Sequence, residues 1–442
     1  MRLPYSKRKY YLSGSDWLMG VLDAHLRRTS GTGSHSTLVI ELSDKLPPSR
    51  LAERLERIYG AVPELAGRIR RDLINLAPYW APARNSQSPP VTCHEIGDET
   101  ALHNTLTVRL NDPLSGRNQH LAFTVLHGAT RNRLLLTFDH RLLDARGAET
   151  FLELLGERPP DGLTAALARI KRTDSPHLCN WNAQFAAGRE VQRRLMALSQ
   201  QESQGFVPPF KSMPPGQSRL RFAHRTFSRE AEAALAKQAE RTGAGLLEMP
   251  FLLALTLIAL LRASDVETAR YLVPVPVDLR PRGRERERML FNHLAFLFFG
   301  CEMHRADTPE TVLSRILPEY FDQVAGDFPA KFADALLPTR IFPVALLQPL
   351  LALPAQGRLA SLAFAHVGDG GTMAADILGV PIQRVWHLPR MPTPPGLGVF
   401  FSRWRGELHL TQVWDETVDP GMAERLFAGI PGLHWSAATD ML

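Results

Sequence analysis

Strand-forming and helix-forming stretches alternate twice along this chain, once on each side of a polar segment broken by Pro and Gly. That order confines it to an α/β (α+β) protein of two similar lobes. On the near side, STLVIELS at 36–43 reads as a strand, and PPSRLAERLERIYG sets Leu51, Leu55 and Ile58 at helical spacing. HLAFTVLH and RLLLTFDH are two more apolar runs, parted by GATRN as adjacent strands are. From 186 to 217 no strand alternation survives among Pro and Gly clusters, so a crossing linker is expected there. Beyond it follow strand RLRFAHRTF, helix SREAEAALAKQAERTG with Ser228 as N-cap, and an apolar helix at 250–261. Strands YLVPVPVDL and NHLAFLFFG, helix PETVLSRILPEYFDQV and strand LAFAHVGDGG come next. GLGVFFSRW and ELHLTQVWD, joined by the turn Arg405-Gly406, form a hairpin before a last helix in DPGMAERLFAG. With 442 residues the chain exceeds one compact core. The expected lobes are 1–185 and 218–442, with 186–217 between them.

The balance of 44% hydrophobic and 22% charged residues is that of a globular protein, which sets disorder aside. A net charge of +6 comes from Arg scattered through many segments, with no Lys/Arg block long enough for a nucleic-acid arm. It favours acidic partners: the phosphates of coenzyme A, an acidic acyl carrier protein, or an anionic membrane surface touched peripherally. Cys93, Cys179 and Cys301 are far apart and lack CxxC spacing, so neither a disulfide framework nor a zinc site is expected, and no metal is implied. A reducing cytoplasm is the expected setting. The basic N-terminus is not followed by an apolar secretory core, and the run at 250–261 is too short to span a bilayer.

Two histidines stand four residues before an aspartate: His94 with Asp98, and His140 with Asp144. Spacing alone therefore selects neither. His94 follows SPPVTC and runs into GDETALHN, the text of an exposed turn. His140 closes the apolar run RLLLTF and precedes the helical AETFLELL, a strand end able to present a side chain at a cleft. An imidazole titrates near neutrality, so it can take a proton from a hydroxyl or amine and return it to a leaving thiolate. Asp144, given a basic partner, would pin the turn and fix the histidine rotamer. The alternative is a His140 that only caps the helix or fills a core contact.

These segments resemble the chloramphenicol acetyltransferase-like superfamily, which includes peptide-synthetase condensation domains, wax ester synthases and BAHD acyltransferases. Its HxxxD motif matches His140 and Asp144. YLVPVPVDLRPR resembles the second-lobe strand whose Arg, here Arg280, pairs with the motif Asp in relatives. FNHLAFLFF, with Asn292, resembles a nearby strand; PELAGRIRR with PYW and LAFAHVGDGG resemble further family segments. The resemblance implies two lobes forming a pseudo-dimer, a tunnel at their interface with His140 at its middle, and acyl-CoA or acyl carrier protein as cosubstrate without another cofactor. It implies an acyltransferase acting on a hydroxyl or amine, small molecule or lipid. The alternatives are a stand-alone condensation protein or an inactive acyl- or carrier-binding module. Where condensation domains read HHxxxDG, this chain has Asp139 and Ala145, and an Asp beside the base is expected to raise its pKa or reshape the pocket. Asp139, Asn292 and Gly147 are candidate pocket residues. Arg280 could also be a solvated residue of RPRGRERER, and Asn292 a plain strand-edge amide.

Overall fold

The computed structural model describes residues 9–114, 118–129, 131–157, 162–170, 180–200, 218–264, 266–281, 286–347, 360–369 and 374–430. Its first half runs β1 (Tyr10–Tyr11), α1 (Gly14–Ser30), β2 (His35–Leu42), α2 (Pro48–Ala61), β3 (Arg68–Arg71), β4 (Pro78–Ala81) and β5 (Val91–Ile96). It continues with α3 (Glu99–Asn111), β6 (Leu121–Gly128), β7 (Asn132–Asp139), α4 (Ala145–Leu155), α5 (Gly162–Arg169) and α6 (Trp181–Gln200). The second half runs β8 (Leu220–Thr226), α7 (Arg229–Arg241), α8 (Glu248–Ala263), β9 (Thr268–Asp278), β10 (Leu294–His304), α9 (Pro309–Ala325) and α10 (Phe328–Leu336). It ends with β11 (Ala363–Val367), β12 (Asp376–Ile377), β13 (Val380–Pro389), β14 (Leu397–Trp404), β15 (Glu407–Asp415) and a terminal helix, Pro420–Gly429.

The first sheet has the order β12-β13-β2-β7-β6-β5 and the second β11-β14-β15-β8, while β9 and β10 pair as a long ribbon from Leu294↔Asp278 to His304↔Thr268. β13 belongs to the second half of the chain yet pairs antiparallel with β2, Leu388 opposite Thr37. The second half thus reaches into the first sheet and ties the lobes together. Each lobe has its own apolar core. In the first, Leu38, Leu136 and Phe138 of β2 and β7 pack with Leu51 and Leu55 of α2 and Phe151 of α4. In the second, α8 is buried on nearly every side against β9, β10 and the terminal helix, which is why its sequence is apolar all round.

Several elements differ from the sequence reading. His94 lies on β5, which pairs parallel with β6, and Asp98 caps α3 by accepting from Ala101 N at 2.7 Å; both belong to regular structure instead of a turn, and both are exposed. The stretch read as linker begins inside α6, which docks on α10 through Lys331 Nζ to Glu190 at 2.8 Å. Residues 201–217, and Cys179, fall outside the described residues. No group of His, Cys, Asp or Glu among the described residues could hold a metal ion, and no described helix is long and apolar enough to cross a membrane.

Candidate active site

β7 ends at Asp139, and one turn later α4 begins with Asp144 as its N-cap, Oδ1 accepting from Gly147 N at 2.8 Å. Leu142 N and Leu143 N both donate to Asp139 O, and His140 N donates to Ser34 O at 3.0 Å, so the turn between strand and helix is closed by backbone bonds. The second lobe grips it from the other side. Phe291 N donates to Leu142 O at 2.6 Å. Arg280 donates Nη2 to Asp144 Oδ1 at 2.8 Å and Nη1 to Oδ2 at 2.9 Å, and His293 N reaches Oδ2 at 3.0 Å. Burial would push the Asp144 carboxyl up, but the Arg280 guanidinium and the His293 amide outweigh it and hold it below the usual range. A buried carboxylate with a bidentate arginine and two backbone donors is a fully satisfied charge. Phe291 sits at φ 69°, a left-handed backbone that costs a bulky residue about 1–2 kcal/mol. Its amide bond to Leu142 and its ring against Trp80, centroids 5.7 Å apart, hold it there.

His140 projects from this frame into a cavity of about 450 Å³ between the lobes. Its Nδ1 is buried without a partner among the described residues. Burial lowers its pKa from the ordinary value; the attraction of Asp144 and Asp139 opposes that shift and His387 adds to it. Asp139 pulls the pKa up as expected, but burial outweighs it, so the ring is neutral at neutral pH. The His140 carbonyl accepts from Asn292 Nδ2 at 2.7 Å, and Asn292 N donates to Asp16 Oδ1 at 2.8 Å. Asp16 in turn forms a capping box with Ser13 at the start of α1. One amide therefore joins the first helix, the second lobe and the histidine turn.

The cavity walls are mainly apolar, with Leu22 of α1, Pro276 of β9, Phe296 and Phe298 of β10, and Phe364 of β11 among them. Polar groups are few and fixed. His387 of β13 approaches Glu149 Oε1 at 2.8 Å, Glu149 receives Arg146 Nη1 at 2.7 Å, and Arg146 Nη2 donates to Gly368 O at 2.8 Å. His293 and His366 also line the space, His366 Nε2 lying 3.0 Å from Glu248.

The candidate pocket residues are placed otherwise than expected. Asn292 and Gly147 stand behind the wall: Gly147 packs so tightly that a Cβ there would lie 2.3 Å from Met289 O. Asp139 faces away from the His140 cavity because successive residues leave a strand on opposite sides. It is held by Arg141 Nη2 at 2.6 Å and His120 Nδ1 at 2.9 Å and lines a second cavity. Sequence reasoning missed His293 and His387, which no motif marks, and α1, which SGSD announces as a capping box.

No family model and no curated protein matches the sequence. The fold does have solved counterparts. A trichothecene 15-O-acetyltransferase from Fusarium sporotrichioides superposes with a TM-score of 0.67 at 14% identity, covering 96% of this chain and 94% of that one. The first condensation domain of the CDA synthetase gives 0.61 at 14% identity, covering 95% and 97%. The starter condensation domain of rhizomide synthetase, a variant solved with C8-CoA and Leu-SNAC, gives 0.60 at 12% identity, covering 96% and 93%. At these identities the likeness is one of fold: the chain shares the two-lobed architecture of an acetyltransferase and of condensation domains over nearly its whole length.

Proposed function

We propose that this chain, built on the fold of condensation domains and an acetyltransferase, moves an acyl group from a coenzyme A or carrier-protein thioester to a hydroxyl or amine, with His140 as general base. The observation that carries this reading is the position of His140 at an apolar cavity between the lobes, with the buried Asp144–Arg280 pair locking the turn behind it. With Nε2 as proton acceptor, the neutral tautomer carries its hydrogen on Nδ1. The acceptor hydroxyl or amine gives its proton to Nε2 as its heteroatom bonds to the thioester carbonyl carbon. The tetrahedral oxyanion then expels the thiolate, which takes the proton back from the imidazolium. Asp144 does not touch the reacting atoms in this scheme; it positions the turn. Apolar walls suit an acyl chain or an apolar acceptor, since burying each CH₂ contributes roughly 0.8 kcal/mol. That one similar domain was solved with C8-CoA supports an acyl-CoA as the first donor to try.

The experiment is direct. The purified protein is incubated with acyl-CoA and carrier-bound thioesters of several lengths and a panel of alcohols and amines, and products are read by mass. An acylated acceptor formed only with protein present supports the reading. Intact thioesters and no acylated product across the whole panel would sink it in favour of a binding module.

A further inference from the structure

Behind the histidine turn lies the second cavity, about 720 Å³, between the end of α1, strand β3 and the end of β7. Its chemistry differs from the first: beside Ile69, Trp80 and Leu114, most of its lining is guanidiniums, carboxylates, imidazoles and amides. The deep end is rigid. Asp23 accepts from Ser34 N at 2.8 Å and from Arg27 Nε at 2.8 Å, and Arg141 Nη1 lies 3.5 Å from it. Asp139 is taken by Arg141 and His120. Gly33 makes the floor possible, because a Cβ there would lie 2.3 Å from Asp23 Oδ1.

Both lining carboxylates are thus already matched by Arg27, Arg141 and His120. Arg68 and Arg70 remain. They lie at i and i+2 on β3, so both side chains leave the same face, roughly 7 Å apart at the backbone, and both line the cavity. Among the described residues neither has a carboxylate within ion-pair distance. Two unmatched guanidiniums over a polar, preformed concavity make a fork for oxyanions, in which each can give charge-assisted bonds to a carboxylate or phosphate.

We propose that this second cavity binds a small oxyanion-bearing molecule, a carboxylate or phosphate compound distinct from the thioester donor, with Arg68 and Arg70 as its anion clamp. The proposal stands apart from acyl transfer, since binding is read without a thioester or turnover.

The test is calorimetric titration of the full chain with inorganic phosphate and with succinate at fixed ionic strength, on the parent and on a variant combining Arg68→Gln with Arg70→Gln. Both residues are exposed, and a circular dichroism spectrum checks that the variant is folded. Saturable binding of either anion to the parent, weakened about tenfold or more in the variant, is the expected result. Preference for phosphate or succinate tells which oxyanion the clamp fits. Absence of saturable binding to the parent, or equal binding by both proteins, overturns the proposal. Coenzyme A forms the third arm: unchanged affinity in the variant is expected, and loss of coenzyme A binding would assign the clamp to the donor and overturn the proposal as well.

Discussion

Arg280 holds Asp144 by two nitrogens at 2.8 and 2.9 Å across 136 residues of sequence, and both side chains are almost wholly buried. The pair joins the second lobe to the helix that follows His140. Removing Arg280 strands Asp144 as a buried charge, and removing Asp144 leaves Arg280 with only the part-exposed Asp278 carboxylate at 3.1 Å. Asp144→Ala or Arg280→Ala should therefore cost about 3–5 kcal/mol in urea unfolding. Arg280→Lys, which keeps the charge and loses the fork, should cost less. Equal unfolding midpoints for the parent and Arg280→Ala would contradict this account of the turn.

Asn292→Ala deletes the 2.7 Å bond to the His140 carbonyl without touching the cavity wall. The expected effect is a fall of about tenfold in kcat with KM little changed, because the base is misplaced and the binding surface is not. Steady-state kinetics with any accepted thioester checks it. A raised KM at constant kcat would put Asn292 in substrate binding.

Burial pushes several imidazoles down: His35 to about 4, His409 to about 3, and His140, His224 and His293 in the same direction. An unfolded chain protonates these rings near pH 6.5, so between about 4 and 6.5 it binds more protons than the folded one. Their contribution is complete above 6.5 and is lost as pH falls through that window, with His35 alone worth on the order of 3 kcal/mol. Urea midpoints should fall steadily from pH 7 to pH 4.5. The acid limb of kcat/KM should lie below 6.5, since His140 must be neutral to act; a limb above 7 would count against it.

The fold could be read from the letters wherever one element carries a complete local signal. The pair β14–β15 was legible from its alternation and from Arg405-Gly406, both at positive φ as a two-residue hairpin turn requires. Ser228 caps α7 as its spacing predicts, its Oγ accepting from Ala231 N. β13 was not legible: Arg384 and His387 interrupt its apolar run, because each answers a carboxylate on another segment, Glu41 or Glu407 for Arg384 and Glu149 for His387. Most of α6, from 186 onward, reads as linker because only a narrow strip of it is buried. In the site, His140, Asp144 and Arg280 lie together, whereas the side to which Asp139 turns depends on the register of β7 with β2, His35 opposite Asp139. Composition does not carry that register.

Gly147 is the residue on which α4 and the segment before Phe291 close. Gly147→Ala puts a methyl group 2.3 Å from the backbone oxygen of Met289. A cost of about 1–3 kcal/mol is expected, seen as a lowered thermal midpoint, even though alanine is the better helix former. An unchanged or higher midpoint would show that the two segments can part freely.

Under the proposed acyl transfer, the cavity limits the length of acyl chain that fits. Ala365 of β11 lines it, and Ala365→Trp should fill part of its roughly 450 Å³. Turnover of long-chain thioesters should then fall much more than turnover of acetyl-CoA, measured as the ratio of kcat/KM values. Parallel losses for both donors would place the acyl chain elsewhere.

The central claim is that Nε2 of His140 takes the acceptor's proton. Thiol release from the best thioester, followed with saturating acceptor in the parent and in His140→Ala, tests it most directly. Loss of at least about a hundredfold in kcat, with the variant still folded and still binding the donor, is the predicted result. Turnover by His140→Ala equal to that of the parent would contradict it.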